Sequence, residues 1–378
     1  MPKTIYFVAG EASGDNHGAA LMRSLRELSL DWRLLGRGGP RMQALADAPF
    51  YNWIDRAGVL GLWEVVKSYG FFRQQFDETL REIAEERPDA VVLIDYPGFN
   101  LRLARTLRAQ KSPRPKIFYY ISPQVWAWNR GRIKQMARWV DLMLCIFPFE
   151  AELYNRSGLR TIFVGHPMID RLGGERSDQP RDRDLVALFP GSRRREVRKI
   201  FPVMLEMMRK LRQANPQLRY EIAAASPQLA QEMQEILERD EASSRSAKIR
   251  VGAAAAIMQR ATAGVVASGS ATLEAAFFRL PFVLVYKVSW LTYLAARLVV
   301  RVEFLGMPNV LAQSAVVPEF IQHRARPAAL ARAVTRLLDE PVARERMVAK
   351  LDEVIASLGE TGASNRAGAE IVKELQKT

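Results

Sequence analysis

The chain has 378 residues, 48% of them hydrophobic and 25% charged, which suits a folded protein of two medium domains and gives no sign of long disorder. Its single cysteine, Cys145, excludes a disulfide framework and a thiolate metal cage, and fits a reducing compartment. The formal net charge of +14 calls for an anionic partner but does not choose among nucleic acid, anionic lipid and phosphorylated substrates.

The opening residues MPKTIYFVAGEASGD do not read as a signal peptide, because Glu11 and Asp15 interrupt the apolar run. The same run, Thr4 to Ala9, predicts a strand, 10–18 a small-residue turn, and 19–28 a helix. Apolar runs at 90–94, 117–121, 142–147 and 161–164 predict further strands, with helical spacing at 72–86 and 101–109 between them. A polar, turn-rich stretch at 173–184 reads as a linker. The alternation then restarts, with strands expected at 185–189, 220–224, 249–251, 264–267 and 282–286 and helices between them. Buried strands alternating with helices predict parallel sheets covered on both faces, hence an α/β chain of two Rossmann-like domains facing a cleft. The expected divisions are 1–172, 173–341 and a helical tail at 342–378. No uncharged run reaches the roughly 18 residues of a membrane span. The nearest, 284–305, is broken by Lys287, Arg297, Arg301 and Glu303.

Four strand-to-helix junctions carry the chemistry. In LFPGSRRREV (188–197), Gly191 lets an anion approach the backbone, Ser192 offers a hydroxyl at a helix start, and Arg193 can grip a diphosphate with two N–H groups. An ordinary helix cap with a solvated basic run is the plainer reading. VVASGSATLE (265–274) repeats the pattern, presenting Ser268, Gly269, Ser270 and Thr272, with Glu274 as an acceptor for a ribose diol or simply as a first-turn acid. Two such turns in one half-chain favour a nucleotide diphosphate.

VLIDYPGFN (92–100) sets Asp95 at the carboxyl edge of an apolar strand, as a general base for a sugar hydroxyl or as the cap of the following helix. GEASGD (10–15) brings Glu11, Ser13, Gly14 and Asp15 to a similar edge. His17 could be a base, but a histidine at a helix start is more often structural, and the same holds for His166 and His323. Asp182 and Asp184 have the spacing of a cation motif but belong to the linker, flanked by arginines, so no metal site is expected. The apolar stretch 58–72, with Leu62, Trp63, Val66, Phe71 and Phe72, is either core or a surface for acyl chains and the bilayer interface. The basic, aromatic PQVWAWNRGRIK (123–134) could stack on bases, but nothing else matches a nucleic-acid module, so no nucleic acid partner is expected.

These motifs, in this order, resemble the lipid-A-disaccharide synthase family: VAGEASGD (8–15), GGPRMQA (38–44), LIDYPGFN (93–100), YISPQVWAW (120–128), PFE (148–150), VGHPMID (164–170), FPGSRRREV (189–197), ASGSATLEA (267–275) and MPNVLA (307–312). The resemblance spans nearly the whole chain. It departs at Gly98, where the family often has a second Asp, which favours Asp95 as the essential carboxylate. The resemblance implies a GT-B fold whose C-terminal helices cross back to the first domain. It also implies a cofactor-free, metal-independent, inverting transfer from UDP-2,3-diacylglucosamine to 2,3-diacylglucosamine 1-phosphate. Asp95 and Glu11 would be catalytic. Ser13 and Gly14 would meet substrate, and Gly191, Ser192, Arg193, Ser268, Gly269, Thr272, Glu274 and Asn309 would hold the UDP-sugar. It further implies a cytoplasmic protein held peripherally on the anionic inner membrane through 59–72, and it is compatible with a homodimer. Another GT-B enzyme on UDP-sugars, and a basic binding protein without catalysis, are the alternatives.

Overall fold

The computed structural model describes residues 2–28, 31–54, 69–110, 114–129, 131–177, 179–240, 244–290, 293–294 and 302–377. Its contacts divide the chain into two compact units, one formed by Met1–Arg171 with Leu358–Thr378 and the other by Leu172–Ser357.

The first unit alternates strands and helices: β1 (Thr4–Ala9), α1 (Ala12–Leu28), β2 (Arg33–Gly38), α2 (Pro40–Gln43), β3 (Phe50–Asn52), α3 (Tyr69–Glu86), β4 (Ala90–Ile94), α4 (Pro97–Ala109), β5 (Lys116–Tyr120), α5 (Val125–Trp128), α6 (Gly131–Met136), β6 (Leu142–Cys145), α7 (Pro148–Arg156), β7 (Thr161–Phe163) and α8 (Pro167–Leu172). The strands form a seven-stranded sheet in the order β3-β2-β1-β4-β5-β6-β7, and every neighbouring pair is parallel. Apolar runs such as AVVLI and LMLC are wholly buried because helices cover both faces of such a sheet.

The second unit contains β8 (Asp182–Phe189), α9 (Arg194–Ala214), β9 (Arg219–Ala224), α10 (Pro227–Glu238), β10 (Ala247–Val251), α11 (Ala254–Arg260), β11 (Ala261–Ala267), α12 (Ala271–Phe277), β12 (Phe282–Tyr286), α13 (Met307–Ala312), β13 (Glu319–Ile321), α14 (Pro327–Asp339) and α15 (Pro341–Ser357). Its six strands run in the order β10-β9-β8-β11-β12-β13. In each sheet the first strand of the unit lies third from one edge, with the next two strands added on that side and the later ones on the other. The strand order therefore reverses at β1/β4 in one unit and at β8/β11 in the other.

Several expectations shift. Helix α1 begins at Ala12, seven residues before the expected 19, because Ser13, Gly14 and Asp15 are its first turn and not a loop. Strand β8 absorbs the end of the expected linker. The Asp182 carboxylate accepts from Arg219 at 2.7 and 2.9 Å, and Thr262 donates to the Asp182 carbonyl at 2.8 Å. Strand β2 escaped the sequence reading because RLLGRG is half polar. Its Arg37 is buried by an ion cluster in which Nε donates to Glu82 at 2.9 Å and Nη2 to Glu78 at 3.0 Å.

The tail is not one piece returning to the first unit. The boundary expected at 341–342 falls at Ser357–Leu358. Helix α15 packs on α12, α13 and α14, and Asp352 pairs with Arg279 at 2.7 Å and Arg176 at 3.2 Å. Only the last helix, α16 (Ala363–Gln376), packs on α1. There Glu374 takes both guanidinium nitrogens of Arg160 at 2.6 and 2.7 Å. Side chains rather than propensity divide the two helices between the units.

Candidate active site

The β1/β4 register pairs Ala9 with Ile94, so the residues that follow, Gly10-Glu11 and Asp95, leave the sheet side by side. Ligands of open α/β sheets bind at such a reversal of strand order. Asp95 and Tyr96 are both left-handed, with φ of 46° and 48°. Such non-glycine conformations cost about 1–3 kcal/mol each and persist only where the surroundings over-determine them. Here they are over-determined. The Asp95 N–H donates to the Tyr120 carbonyl at 3.0 Å, and the Asp95 carbonyl accepts from Asn100 Nδ2 at 2.8 Å and Tyr119 Oη at 2.6 Å. Asn100 also donates to the Ile94 carbonyl at 3.1 Å. The Tyr96 ring lies over Gly10, where an added Cβ would stand 2.3 Å from Cδ1.

The Asp95 carboxyl is held above its ordinary range, first by burial and then by the negative charge of Glu11. Both effects make it a stronger base. Glu11 and Ser13 are exposed at the start of α1. Gly14 is buried, its Cα facing Ala9, and it offers no side chain to a ligand. Asp15 is structural: its carboxylate accepts from the N–H groups of Gly39, Arg41 and Met42 at 2.9–3.1 Å and caps α2. His17 and His166 are also structural. Burial lowers both to about 4, and His166 Nδ1 accepts from the Met168 N–H at 3.1 Å.

An aromatic cluster adjoins Asp95. Trp53 donates Nε1 to the Ala9 carbonyl at 2.7 Å, and its ring meets those of Phe99 at 5.0 Å, Tyr96 at 6.0 Å and Phe72 at 6.5 Å. Phe71 packs on Phe72 at 5.5 Å. Both are half-buried, so these two residues of the expected acyl surface are partly committed to the protein. Leu62, Trp63 and Val66 lie outside the described residues.

The second unit repeats the arrangement. Phe189 pairs with Val266, which brings Pro190-Gly191-Ser192 beside Ser268-Gly269-Ser270. Gly191 has φ +117°, a region that side chains rarely adopt. Helix α9 starts at Arg194 with Arg193 as its cap, two residues beyond the expected start at Ser192. The first-turn residue Glu196 folds back over Gly191, accepting from the Ser192 N–H at 3.2 Å and Arg193 Nη1 at 3.4 Å. Ser192, Arg193, Gly269 and Ser270 are exposed, and Ser268 and Glu274 are half-buried. Tyr286, at the end of β12, was not singled out by sequence. Burial and then Glu196 raise its phenol, which marks it as a neighbour of this turn.

Two residues expected to hold the UDP-sugar are engaged within the protein. Thr272 is buried and donates its hydroxyl to the Gly269 carbonyl at 2.8 Å, so it shapes the turn. Asn309 is fully buried. Its Nδ2 donates to the Val317 carbonyl and Glu319 Oε1, and its Oδ1 accepts from the N–H groups of Val316 and Val317, all at 2.8 Å. Every hydrogen-bonding position of that amide is taken within the protein, because the loop from α13 to β13 folds around it.

The family model for lipid-A-disaccharide synthetase matches residues 5–372. The chain belongs to the lipid-A-disaccharide synthase family. It is 38% identical to the lipid-A-disaccharide synthase of Geobacter sulfurreducens over 99% of this chain and 97% of that one. It is 38% identical to that of Myxococcus xanthus over 99% and 98%. Among solved structures it resembles the UDP-GlcNAc 2-epimerase of Neisseria meningitidis bound to UDP-GlcNAc (TM-score 0.58, 12% identity, 99% and 100% covered). It also resembles MurG of Acinetobacter baumannii (TM-score 0.57, 14% identity, 100% of both covered). These likenesses show the fold, two parallel α/β sheets of the GT-B kind. The chain is therefore a glycosyltransferase of lipid A disaccharide synthesis, whose family takes a UDP-sugar donor and a sugar-phosphate acceptor. Among the described residues, no helix is long and apolar enough to cross a membrane.

Proposed function

We propose that the protein transfers 2,3-diacylglucosamine from its UDP donor to the 6-hydroxyl of 2,3-diacylglucosamine 1-phosphate, with inversion, giving the β-1′,6-linked disaccharide 1-phosphate and UDP. Asp95 accepts the proton of the acceptor hydroxyl as its oxygen bonds to C1 of the donor sugar. The bond from C1 to the diphosphate oxygen breaks, and its electron pair leaves with UDP. The observation that carries this reading is the over-determined, left-handed Asp95 at the sheet reversal, its carboxyl raised by burial and Glu11.

Charge developing on the departing diphosphate is met by Arg193 and by backbone N–H groups at the start of α9, so the protein's own groups can do the work of a cation. Ser192, Gly269 and Ser270 line the same turns, and Glu274 accepts from the ribose. Asn309 and Thr272 act by holding their loops. Glu11 raises the basicity of Asp95, and Ser13 meets the acceptor. Acylated substrates and a net charge of +14 favour work at the cytoplasmic face of an anionic inner membrane.

The test is UDP release from synthetic acylated donor and acceptor. UDP should appear only when both are present, with a disaccharide formed in equal amount. UDP release that ignores the acceptor, or epimerisation of the donor sugar, would overturn the reading.

A further inference from the structure

Strand β5 is followed by the segment Ile121 to Trp128, which ends in α5 and begins directly after the residues that hold Asp95. Tyr119 and Tyr120, at the end of β5, supply two of the bonds that fix the Asp95 backbone. Ile121, the next residue, has φ +65°, an outlier for a β-branched side chain, held by its N–H bond to the Leu144 carbonyl at 2.9 Å. The far end of the segment is clamped from α7. Trp126 Nε1 donates to Glu150 Oε1 at 2.8 Å, Tyr154 Oη donates to the Pro123 carbonyl at 2.7 Å, and the Trp126 ring meets Phe149 edge-on at 4.9 Å. Glu150 is completely buried, and among the described residues no hydrogen bond reaches its Oε2.

We propose that Glu150 is a positioning residue, a buried acid that holds the segment from Ile121 to Trp128 through Trp126 and thereby fixes the backbone of Asp95. Burial with no counter-charge disfavours the carboxylate, and the Trp126 indole N–H, the Ser122 hydroxyl and the Phe147 backbone offset that only in part, whereas the protonated acid needs no counter-charge. Burial accordingly pushes its carboxyl up to about 7. The titratable groups facing it are the Cys145 thiol on β6 and the Tyr154 phenol on its own helix, both raised by burial and both neutral at physiological pH. Neither supplies a positive charge. The acid is therefore favoured in the fold relative to an ordinary value of 4.5, and its stabilising contribution is lost as pH rises through about 7. The segment it holds ends in Trp128, which is exposed and carries the Arg132 guanidinium over its ring at 5.5 Å.

This inference rests on Asp95 as the base, and the experiment separates the two. The full-length protein carrying Glu150→Gln, Glu150→Ala or Trp126→Phe is assayed for UDP release across pH, with UDP affinity measured by calorimetry. Glu150→Gln, a neutral isostere, should retain wild-type turnover near pH 6 and exceed the wild type on the alkaline side. Glu150→Ala and Trp126→Phe should lower kcat about tenfold with the UDP Kd unchanged, since UDP is assigned to the other unit. An inactive but folded Glu150→Gln, a pH profile identical to wild type, or equal losses in kcat and UDP affinity would overturn the proposal. Full activity of Asp95→Asn would remove the base and leave the segment comparison standing, because the pH profile of Glu150→Gln does not depend on which group takes the proton.

Discussion

A Cβ built on Gly191 would stand 2.6 Å from Oε2 of Glu196, because that carboxylate lies across the bare face of the glycine. Glu196 thus occupies the Ser192 N–H and the Arg193 guanidinium, two groups assigned to the departing diphosphate. A diphosphate bound at this turn would compete with it for both groups. Glu196→Gln should tighten UDP several-fold and leave uridine, which has no phosphates, unchanged. Gly191→Ala should weaken UDP about tenfold or more, since the methyl group meets both a left-handed φ and the Glu196 side chain. Calorimetric titration with UDP and uridine checks both. A Glu196→Gln protein that binds UDP more weakly would make Glu196 only a helix cap.

The acid limb of the pH–rate profile should report Asp95, which must be deprotonated to act. Burial and Glu11 raise its carboxyl, so the limb lies above the ordinary carboxylate range. Glu11→Gln removes the neighbouring charge and should move the limb to lower pH. An unchanged limb would mean either that Glu11 does not act on Asp95 or that another group titrates there.

Loss of Asn309 should show as instability. Asn309→Ala strands the N–H groups of Val316 and Val317 and the Val317 carbonyl in the interior, at a cost of order 2–4 kcal/mol. Thermal unfolding of the variant, with and without UDP, measures this. A normal Tm with UDP binding abolished would restore Asn309 as a direct ligand contact.

The fold was legible where chemistry is one-sided. Runs such as AVVLI and FVLVY could only be buried parallel strands, and their ends located Asp95, Gly191 and Ser268. What escaped depended on partners distant in sequence. Strand β2 hides a buried Arg37 whose carboxylates come from α3, and GEASGD looked like a turn because the role of Asp15 is fixed by α2. Asn309 and Thr272 had the right residue types for ligand contact, but only the three-dimensional structure shows the Asn309 amide fully bonded and the Thr272 hydroxyl donating to Gly269. Asn100 and Tyr119, which hold the Asp95 backbone, carried no signal beyond lying in or near the right motif.

Arg193→Ala should weaken UDP and slow turnover, and activity should persist in EDTA, because the guanidinium and the helix start supply the positive charge. Loss of activity in EDTA restored by magnesium or manganese would assign that charge to a metal ion instead.

Catalysis turns on the proton transfer to Asp95. The most direct measurement is single-turnover UDP release from acylated donor and acceptor by Asp95→Asn, alongside calorimetric UDP binding. The expected result is turnover lowered by roughly two to four orders of magnitude with UDP affinity nearly kept, the signature of a lost general base. Turnover within a few-fold of the wild type would contradict the account.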